Sequence, residues 1–483
     1  MLQAPSKYQH FIDNVAVAAA SGQSIAVVDP SDGSVFAQLA RGTAADIDKA
    51  VIAARRAAEG AWGKTTPVER GRILARWGLL VADAVAELGA LESRDTGKPL
   101  RQGLADANAL ARYFEFYGGA ADKLHGQTIP YQNGYTVLTI REPHGVTGHI
   151  IPWNYPMQIF GRSVGAALAA GNACVVKPAE DACLSLIRVA ELGAQAGLPP
   201  GALNIVTGLG SEAGQALADH PGIDHISFTG SPETGKRVAQ SAAAHHCPVT
   251  LELGGKSPQI VFEDADLDAA LPVLVNAIIQ NCGQTCSAGS RVLIAAGIYD
   301  RLVGLLAERF QALRVGPSTS DLDLGPLINE KQLHRVREYL SAAQAGGLEI
   351  AASGSVLPDV PGGGFYQAPA LLASVPSDNL LFQQEVFGPV LVATRFQDEA
   401  QALALANDSP YGLVAGVWTR DGARQMRMAR GIRTGQVFLN NYGAGGGVEL
   451  PFGGVKQSGY GREKGFEALY GFTTLKTIAM RHD

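Results

Sequence analysis

Residues 145–178, GVTGHIIPWNYPMQIFGRSVGAALAAGNACVVKP, decide the fold. A β-rich run ends in the turn PWN, apolar residues at helical spacing cover 157–170, Gly171 and Asn172 stop the helix, and a second β-rich run leads into KP. Strand, helix and strand at this distance form the unit of a parallel sheet with crossover helices. The unit repeats downstream: a helix over 183–196, ALNIVTG (202–208), a helix over 211–219, HISFTG (225–230), a helix over 232–244 and PVTLELGG (248–255). After Gly255 the alternation starts again with QIVF (259–262), a helix over 265–281, SRVLIA (290–295), a helix over 297–313 and short strands to about residue 440. Two α/β domains are therefore expected, dividing near Gly254 and Gly255. Upstream, 43–62, 67–93 and 101–118 read as helices, which makes the amino-terminal quarter mainly helical.

The chain has 483 residues, 46% of them hydrophobic and 17% charged, enough to bury a large core, and this excludes a disordered chain. Lys and Arg number 39 against 45 Asp and Glu, a net charge of −6 with no run of like charge, so neither nucleic acid nor an anionic membrane is an expected partner. A small metabolite is. Five cysteines, odd in number and sparse, fit a reducing compartment. The polar amino terminus lacks a secretory pattern, and the longest apolar stretch, near 163–176, is too short to cross a bilayer. A cytoplasmic protein is expected.

Open parallel sheets bind ligands beyond the carboxyl ends of their strands, which directs attention to PWN, KPAE, FTGS and LELGG. HISFTGSPETGKR (225–237) approaches a phosphate-loop pattern, but Arg237 stands where Ser or Thr would ligate Mg²⁺. What survives is a strand, a Gly turn and a helix amino terminus whose free N–H groups suit a pyrophosphate. TGLGSEAG (207–214) is a second, imperfect Gly-rich turn. In IIQNCGQTCSAGSR (278–291) a helical run meets Gly, Ser and Ala, and Cys286 reads either as an accessible thiol or as a buried structural one. No His or Cys cluster accompanies Cys282 and Cys286, so no metal is expected. No HExxH-type pair is present, and no GxSxG nucleophile turn, since the GxSxG match at 161–165 lies inside the helical run 157–170 and not at a strand-to-helix turn; the parts that a metalloprotease or a serine hydrolase needs are lacking.

Taken together, PWNYP (152–156), KPAE (177–180), FTGS (228–231), LELGGKSP (251–258), GQTCSAGSR (283–291), EVFGPV (385–390) and PFGGVKQSGYGRE (451–463) closely resemble the aldehyde dehydrogenase superfamily, in order and over nearly the whole chain. The resemblance implies a Rossmann-like NAD-binding domain (1–122 and 142–254), an α/β catalytic domain (255–465) and a small β oligomerisation extension (123–141 and 466–483), assembled as a homodimer or homotetramer. An aldehyde loses hydride readily only after a nucleophile has made its carbon tetrahedral, so the chemistry needs a thiolate, an oxyanion site and a hydride acceptor. By resemblance Cys286 is the nucleophile, Asn154 donates to the oxyanion beside the Cys286 backbone N–H, and Glu252 is the general base that hydrolyses the thioester. Relatives that transfer the acyl group to coenzyme A typically lack this Glu, so water is the expected acceptor. Coenzyme A acylation and a non-catalytic cofactor-binding scaffold are the alternatives.

The resemblance also places Ile151, Trp153, Lys177, Glu180, Gly230, Ser231, Glu385 and Phe387 at the cofactor. A carboxylate accepts hydrogen bonds from ribose hydroxyls and repels a 2′-phosphate, so Glu180 predicts NAD, with NADP less favoured. Tyr155, Gln158, Arg162, Gln280, Thr285 and Tyr442, with the Gly-rich loop 443–447, match the substrate pocket. Arg162 matches an Arg that helps succinic semialdehyde dehydrogenases hold a carboxylate, whereas Gln280 replaces the second Arg of that clamp. Tyr155 and Tyr442 suit an aromatic or ketone-bearing aldehyde.

Overall fold

A computed structural model describes residues 6–443 and 447–482. Five parallel strands lie side by side in the order Val249–Glu252, His225–Thr229, Val146–Ile151, Ala173–Pro178 and Leu203–Ile205. Antiparallel strands extend this sheet at both ends, Gly459–Tyr460 beside Val249–Glu252 and the hairpin His10–Ile12 with Val15–Val17 beside Leu203–Ile205. From Val146–Ile151 the chain builds outward on one side, then crosses to lay His225–Thr229 on the other. The PWN and FTGS turns therefore flank a topological switch point, where open sheets bind ligands.

The connecting helix Pro156–Ala170 starts with Pro at its first turn, stops at Gly171 in the left-handed region (φ +103°), and buries every residue except Gln158. Such all-round burial explains why its sequence is apolar without a polar face. A second, seven-stranded sheet runs Ile350–Ser353, Ala370–Leu372, Val390–Phe396, Arg291–Ala295, Pro258–Val261, Val414–Trp418 and Gln436–Leu439, parallel except at its first strand. Its first member in the chain is Pro258–Val261, where the strand–helix alternation restarts.

Three features differ from the sequence reading. The amino-terminal quarter is not mainly helical before residue 44: Ser6–Tyr8, Ser24–Val28 and Val35–Ala40 form a small sheet, and His10–Ile12 and Val15–Val17 pair through Asp13 and Asn14, both at positive φ. These strands are only three to six residues long, too short for a period-two pattern to stand out, although Asp-Asn is itself hairpin-turn chemistry. The stretch 67–93 is two helices, Pro67–Asp83 and Val85–Thr96, hinged at Ala84. The tract 255–465 does not stay with the second sheet, because Gly459–Tyr460 returns to the edge of the first. Beyond it, Thr473–Arg481 pairs along its length with Tyr135–Pro143, which also pairs with Gln127–Ile129. Among the described residues no helix is long and apolar enough to cross a membrane.

Candidate active site

The sheet ends and the loops above them enclose a cavity of about 430 Å³. Cys286 and Asn154 line it, as do Tyr155, Gln158, Arg162, Gln280, Thr285 and Tyr442. Of the Gly-rich loop 443–447, residues 444–446 lie outside the described residues.

Cys286 is carried by a turn rather than a helix. After Leu267–Ile279, Asn281 and Cys282 adopt left-handed backbone (φ 47° and 55°) and redirect the chain toward the cavity. Cys282 stays in the core under the second sheet, whereas Cys286 packs beside Leu413, Val414 and Phe452. Two amide bonds tie the Cys286 turn to PWN: Asn281 Nδ2 donates to the Asn154 carbonyl at 2.8 Å, and Asn154 Nδ2 donates to the Gln284 carbonyl at 2.9 Å. Gly255 allows the end of the first sheet to touch this turn, since a Cβ there would lie 2.4 Å from the Cys286 carbonyl oxygen. Around the rim, the Tyr155 and Thr285 hydroxyls are 2.9 Å apart, Tyr442 donates to the Ser287 carbonyl, and Gln158 Nε2 donates to Asp106 Oδ1.

Glu252 ends the strand Val249–Glu252 and is 1% exposed. It is not a solvated strand-end carboxylate. Among the described residues neither of its oxygens has a hydrogen-bond partner, and Oε1 lies where a Cβ on Gly453 would come within 2.7 Å. Burial and the nearby Glu463 push its acidity well below that of an ordinary carboxyl, against the opposing charges of Arg162 and Arg462. Burial likewise pushes the Cys286 thiol up to about 12, with Arg162 pulling it back down. In this resting geometry burial thus disfavours the charged form of both groups.

Arg162 does face the cavity, but its charge is already engaged. Its Nε is ion-paired with Glu463, whose side chain is fully buried, its Nη2 donates to Thr229 Oγ1 at 3.3 Å, and its guanidinium lies 4.9 Å from the centre of the Phe452 ring. Ser227 Oγ donates to the other Glu463 oxygen at 2.7 Å.

The residues matched to a cofactor lie along the carboxyl ends of the first sheet. Lys177 Nζ donates to Glu180 Oε2 at 2.8 Å and the Gly210 N–H to Glu180 Oε1 at 3.3 Å. Although burial favours the neutral acid, Lys177 and these hydrogen bonds hold Glu180 ionised, below the usual carboxylate range. Ser231 caps the twelve-residue helix Pro232–Ala243, accepting from the Thr234 N–H at 3.2 Å, and the Gly230 N–H donates to the Glu252 carbonyl. Ile151 is buried at 2% exposure, and Trp153 meets Phe387 edge to face at 5.5 Å. Glu385 accepts from the Gly255 N–H at 2.9 Å and is pushed up to about 7 by burial. Two carboxylates for ribose hydroxyls, a capped helix amino terminus for a pyrophosphate and an aromatic pair suit a nicotinamide dinucleotide.

Sequence reasoning missed Glu463, Phe452 and Lys464 as site residues, and Lys98 with Asp106 behind them. Glu463 and Phe452 lie inside a motif already singled out, and a buried Glu that ends a Gly-rich run was the available signal.

The chain belongs to the aldehyde dehydrogenase family, whose profile matches residues 17–478. A crystal structure of a Burkholderia cenocepacia protein assigned as an aldehyde dehydrogenase superposes with a TM-score of 0.98 at 72% identity, covering 98% of this chain and 100% of that one. An NAD+ complex of an aldehyde dehydrogenase from Bacillus cereus gives a TM-score of 0.96 at 38% identity over 99% and 97% of the two chains. The NADP/NAD-dependent aldehyde dehydrogenase PuuC of Escherichia coli (strain K12) is 42% identical over 97% of this chain and 94% of its own. The protein is therefore an enzyme that oxidises an aldehyde with a nicotinamide cofactor.

Proposed function

We propose that Cys286, Asn154 and Glu252 carry the oxidation of an uncharged aromatic aldehyde to its acid, with NAD as preferred cofactor and water as acyl acceptor. Cys286 Sγ, once deprotonated, bonds to the carbonyl carbon while the C=O electron pair moves to oxygen. Asn154 keeps one amide hydrogen on Gln284 and turns the other, with the Cys286 backbone N–H, to that oxyanion. A nicotinamide dinucleotide held by Glu180, Ser231 and Glu385 would supply the hydride acceptor. What remains on Cys286 is a thioester. Glu252, once ionised, takes a proton from water, the hydroxide adds to the thioester carbonyl, and the C–S bond breaks to release the acid and the thiolate. The observation that carries this reading is the Glu252 carboxyl, buried at 1% exposure near Cys286 with neither oxygen partnered among the described residues. A buried carboxyl with nothing to bind calls for a functional explanation, and a reacting water supplies one.

The ionised Glu180 supports NAD over NADP. Tyr113, Tyr155, Tyr442 and Phe452 line the cavity and support an aromatic substrate, and the pairing of Arg162 with Glu463 weakens its claim on a substrate carboxylate. A semialdehyde is the second reading, favoured by Lys464 joining Arg162 on the cavity wall. NADH formation across neutral aromatic, aliphatic and carboxylate-bearing aldehydes, with Arg162→Ala beside the wild type, decides between them. Neutral aromatic aldehydes are expected to lead in both enzymes. Semialdehydes that lead and then lose their advantage in Arg162→Ala would overturn the aromatic reading.

In this reading 1–122 and 142–254 hold the cofactor, 255–465 carry the catalytic turn, and 123–141 with 466–483 join subunits. The outer sheet exposes Ile129, Leu475 and Met480, which supports a homodimer or homotetramer, and five free cysteines support a cytoplasmic setting. Light scattering is expected to give two or four chains; a monomer at micromolar concentration would overturn the assembly.

A further inference from the structure

Behind the oxyanion donor lies a buried ammonium that plays no part in the chemistry above. Lys98 follows Gly97 (φ +81°) in the short link between the helices Val85–Thr96 and Leu100–Ala120, and its side chain has no solvent exposure. Its Nζ donates to Glu92 Oε1 at 3.0 Å, to Asp106 Oδ2 at 2.5 Å and to the backbone carbonyl of Asn154 at 3.0 Å. We infer that Lys98 is a positioning residue that fixes the PWN turn so that the Asn154 amide is aimed at the reacting oxygen. The inference rests on the oxyanion role proposed for Asn154.

The hydrogen-bond geometry carries it. The Asn154 carbonyl accepts two bonds, from Lys98 Nζ and from Asn281 Nδ2 at 2.8 Å, so both lone pairs are occupied and the following peptide plane has one orientation. The groups around Lys98 grip the rest of the turn. Glu92 Oε2 accepts from the Met157 N–H at 3.3 Å, Asp106 Oδ1 accepts from Gln158 Nε2, and the Tyr155 ring centre lies 4.5 Å from the ammonium. Four of the five residues from Asn154 to Gln158 are thus held by this one cluster. Burial disfavours the ammonium, but Asp106 and Glu92 hold it charged, above its ordinary range. A buried, fully bonded cation of this kind fixes geometry more than it adds stability. A purely structural salt bridge has no reason to end on the carbonyl of the residue that stabilises the transition state.

The test is a double-mutant cycle on the whole enzyme, with kcat for a saturating aldehyde, KM for NAD and NADH binding measured for Lys98→Met, Asn154→Ala and the pair. Asn154→Ala is expected to lower kcat by about 100- to 1,000-fold. Lys98→Met is expected to lower it by about 10- to 100-fold, the scale of a small misplacement at a reacting centre, with KM for NAD unchanged within about twofold. Because Lys98 acts only through Asn154, the pair should fall no more than about threefold below Asn154→Ala alone. Losses that multiply in the pair would overturn the inference while leaving the oxyanion role of Asn154 intact, as would Lys98→Met at wild-type kcat. An unimpaired Asn154→Ala would overturn both. If Lys98→Met alone does not fold to an NADH-binding protein, Lys98→Met with Asp106→Asn, which removes the ammonium together with one of its two carboxyl partners, takes its place in the same cycle and is read by the same outcomes.

Discussion

The Arg162–Glu463 pair offers a direct test of how the site is built. Removing Arg162, as Arg162→Met, leaves the Glu463 carboxylate fully buried with Ser227 as its remaining hydrogen-bond donor and the Glu252 carboxyl nearby. Breaking one side of a buried ion pair costs about 3–5 kcal/mol, because the surviving charge keeps its desolvation penalty and loses its compensation. Glu463→Gln should cost a similar amount by stranding the guanidinium, whose side chain is 8% exposed. The double variant strands neither charge and should lie within about 2 kcal/mol of the wild type. Urea unfolding at pH 7.5, followed by tryptophan fluorescence, measures the three. Single variants that each cost less than about 1 kcal/mol, or a double variant that equals their sum within about 0.5 kcal/mol, would refute the pairing as the reason Arg162 is there.

Three further outcomes follow from the geometry of the site. Because burial pushes the Cys286 thiol up to about 12, its thiolate fraction rises with pH across the neutral range, and alkylation of Cys286 by iodoacetamide should accelerate about tenfold per pH unit from 7 to 9; a plateau in that range would contradict it. Glu252→Gln should leave formation of the thioester but slow its hydrolysis by about 100- to 10,000-fold, seen in rapid mixing as an NADH burst of about one per active site followed by slow turnover; loss of the burst itself would contradict the assignment. Gly255→Ala should cost about 1–3 kcal/mol of stability and lower kcat, since the added methyl lies 2.4 Å from the Cys286 carbonyl oxygen; wild-type thermal midpoint and kcat would show that the sheet end does not press on the nucleophile turn.

Much of this was legible in the sequence because the decisive features are local. The parallel sheet follows from β-rich runs and apolar helices of ordinary length, and the turns PWN, FTGS and LELGG fall at strand ends because each closes a strand. The short strands before residue 44 escaped because three residues leave no periodicity to read. Lys98 escaped for another reason. In DTGKPL it looks like a charged loop residue, and only the packing of Val85–Thr96 on Leu100–Ala120, and of Leu100–Ala120 on Pro156–Ala170, buries it. Arg162 was visible as a residue facing the cavity, but its partner Glu463 lies 301 positions later, a pairing that no local pattern can reveal.

The same pairing bears on how one site can use two acids whose charged forms burial disfavours. Arg162 is balanced by Glu463, so its charge is not free to hold a thiolate and an ionised Glu252 together. Charge on Glu252 raises the thiol, and by reciprocity a thiolate raises Glu252. The two-stage reaction never needs both at once. In the proposed reaction, attack on the aldehyde requires the thiolate while Glu252 stays inert; after hydride loss the sulfur is bound in an uncharged thioester, its repulsion is gone, and Glu252 can ionise to activate water. In that proposal the buried Glu252 carboxyl suits the second stage because burial and the Cys286 thiolate resist its ionisation during the first.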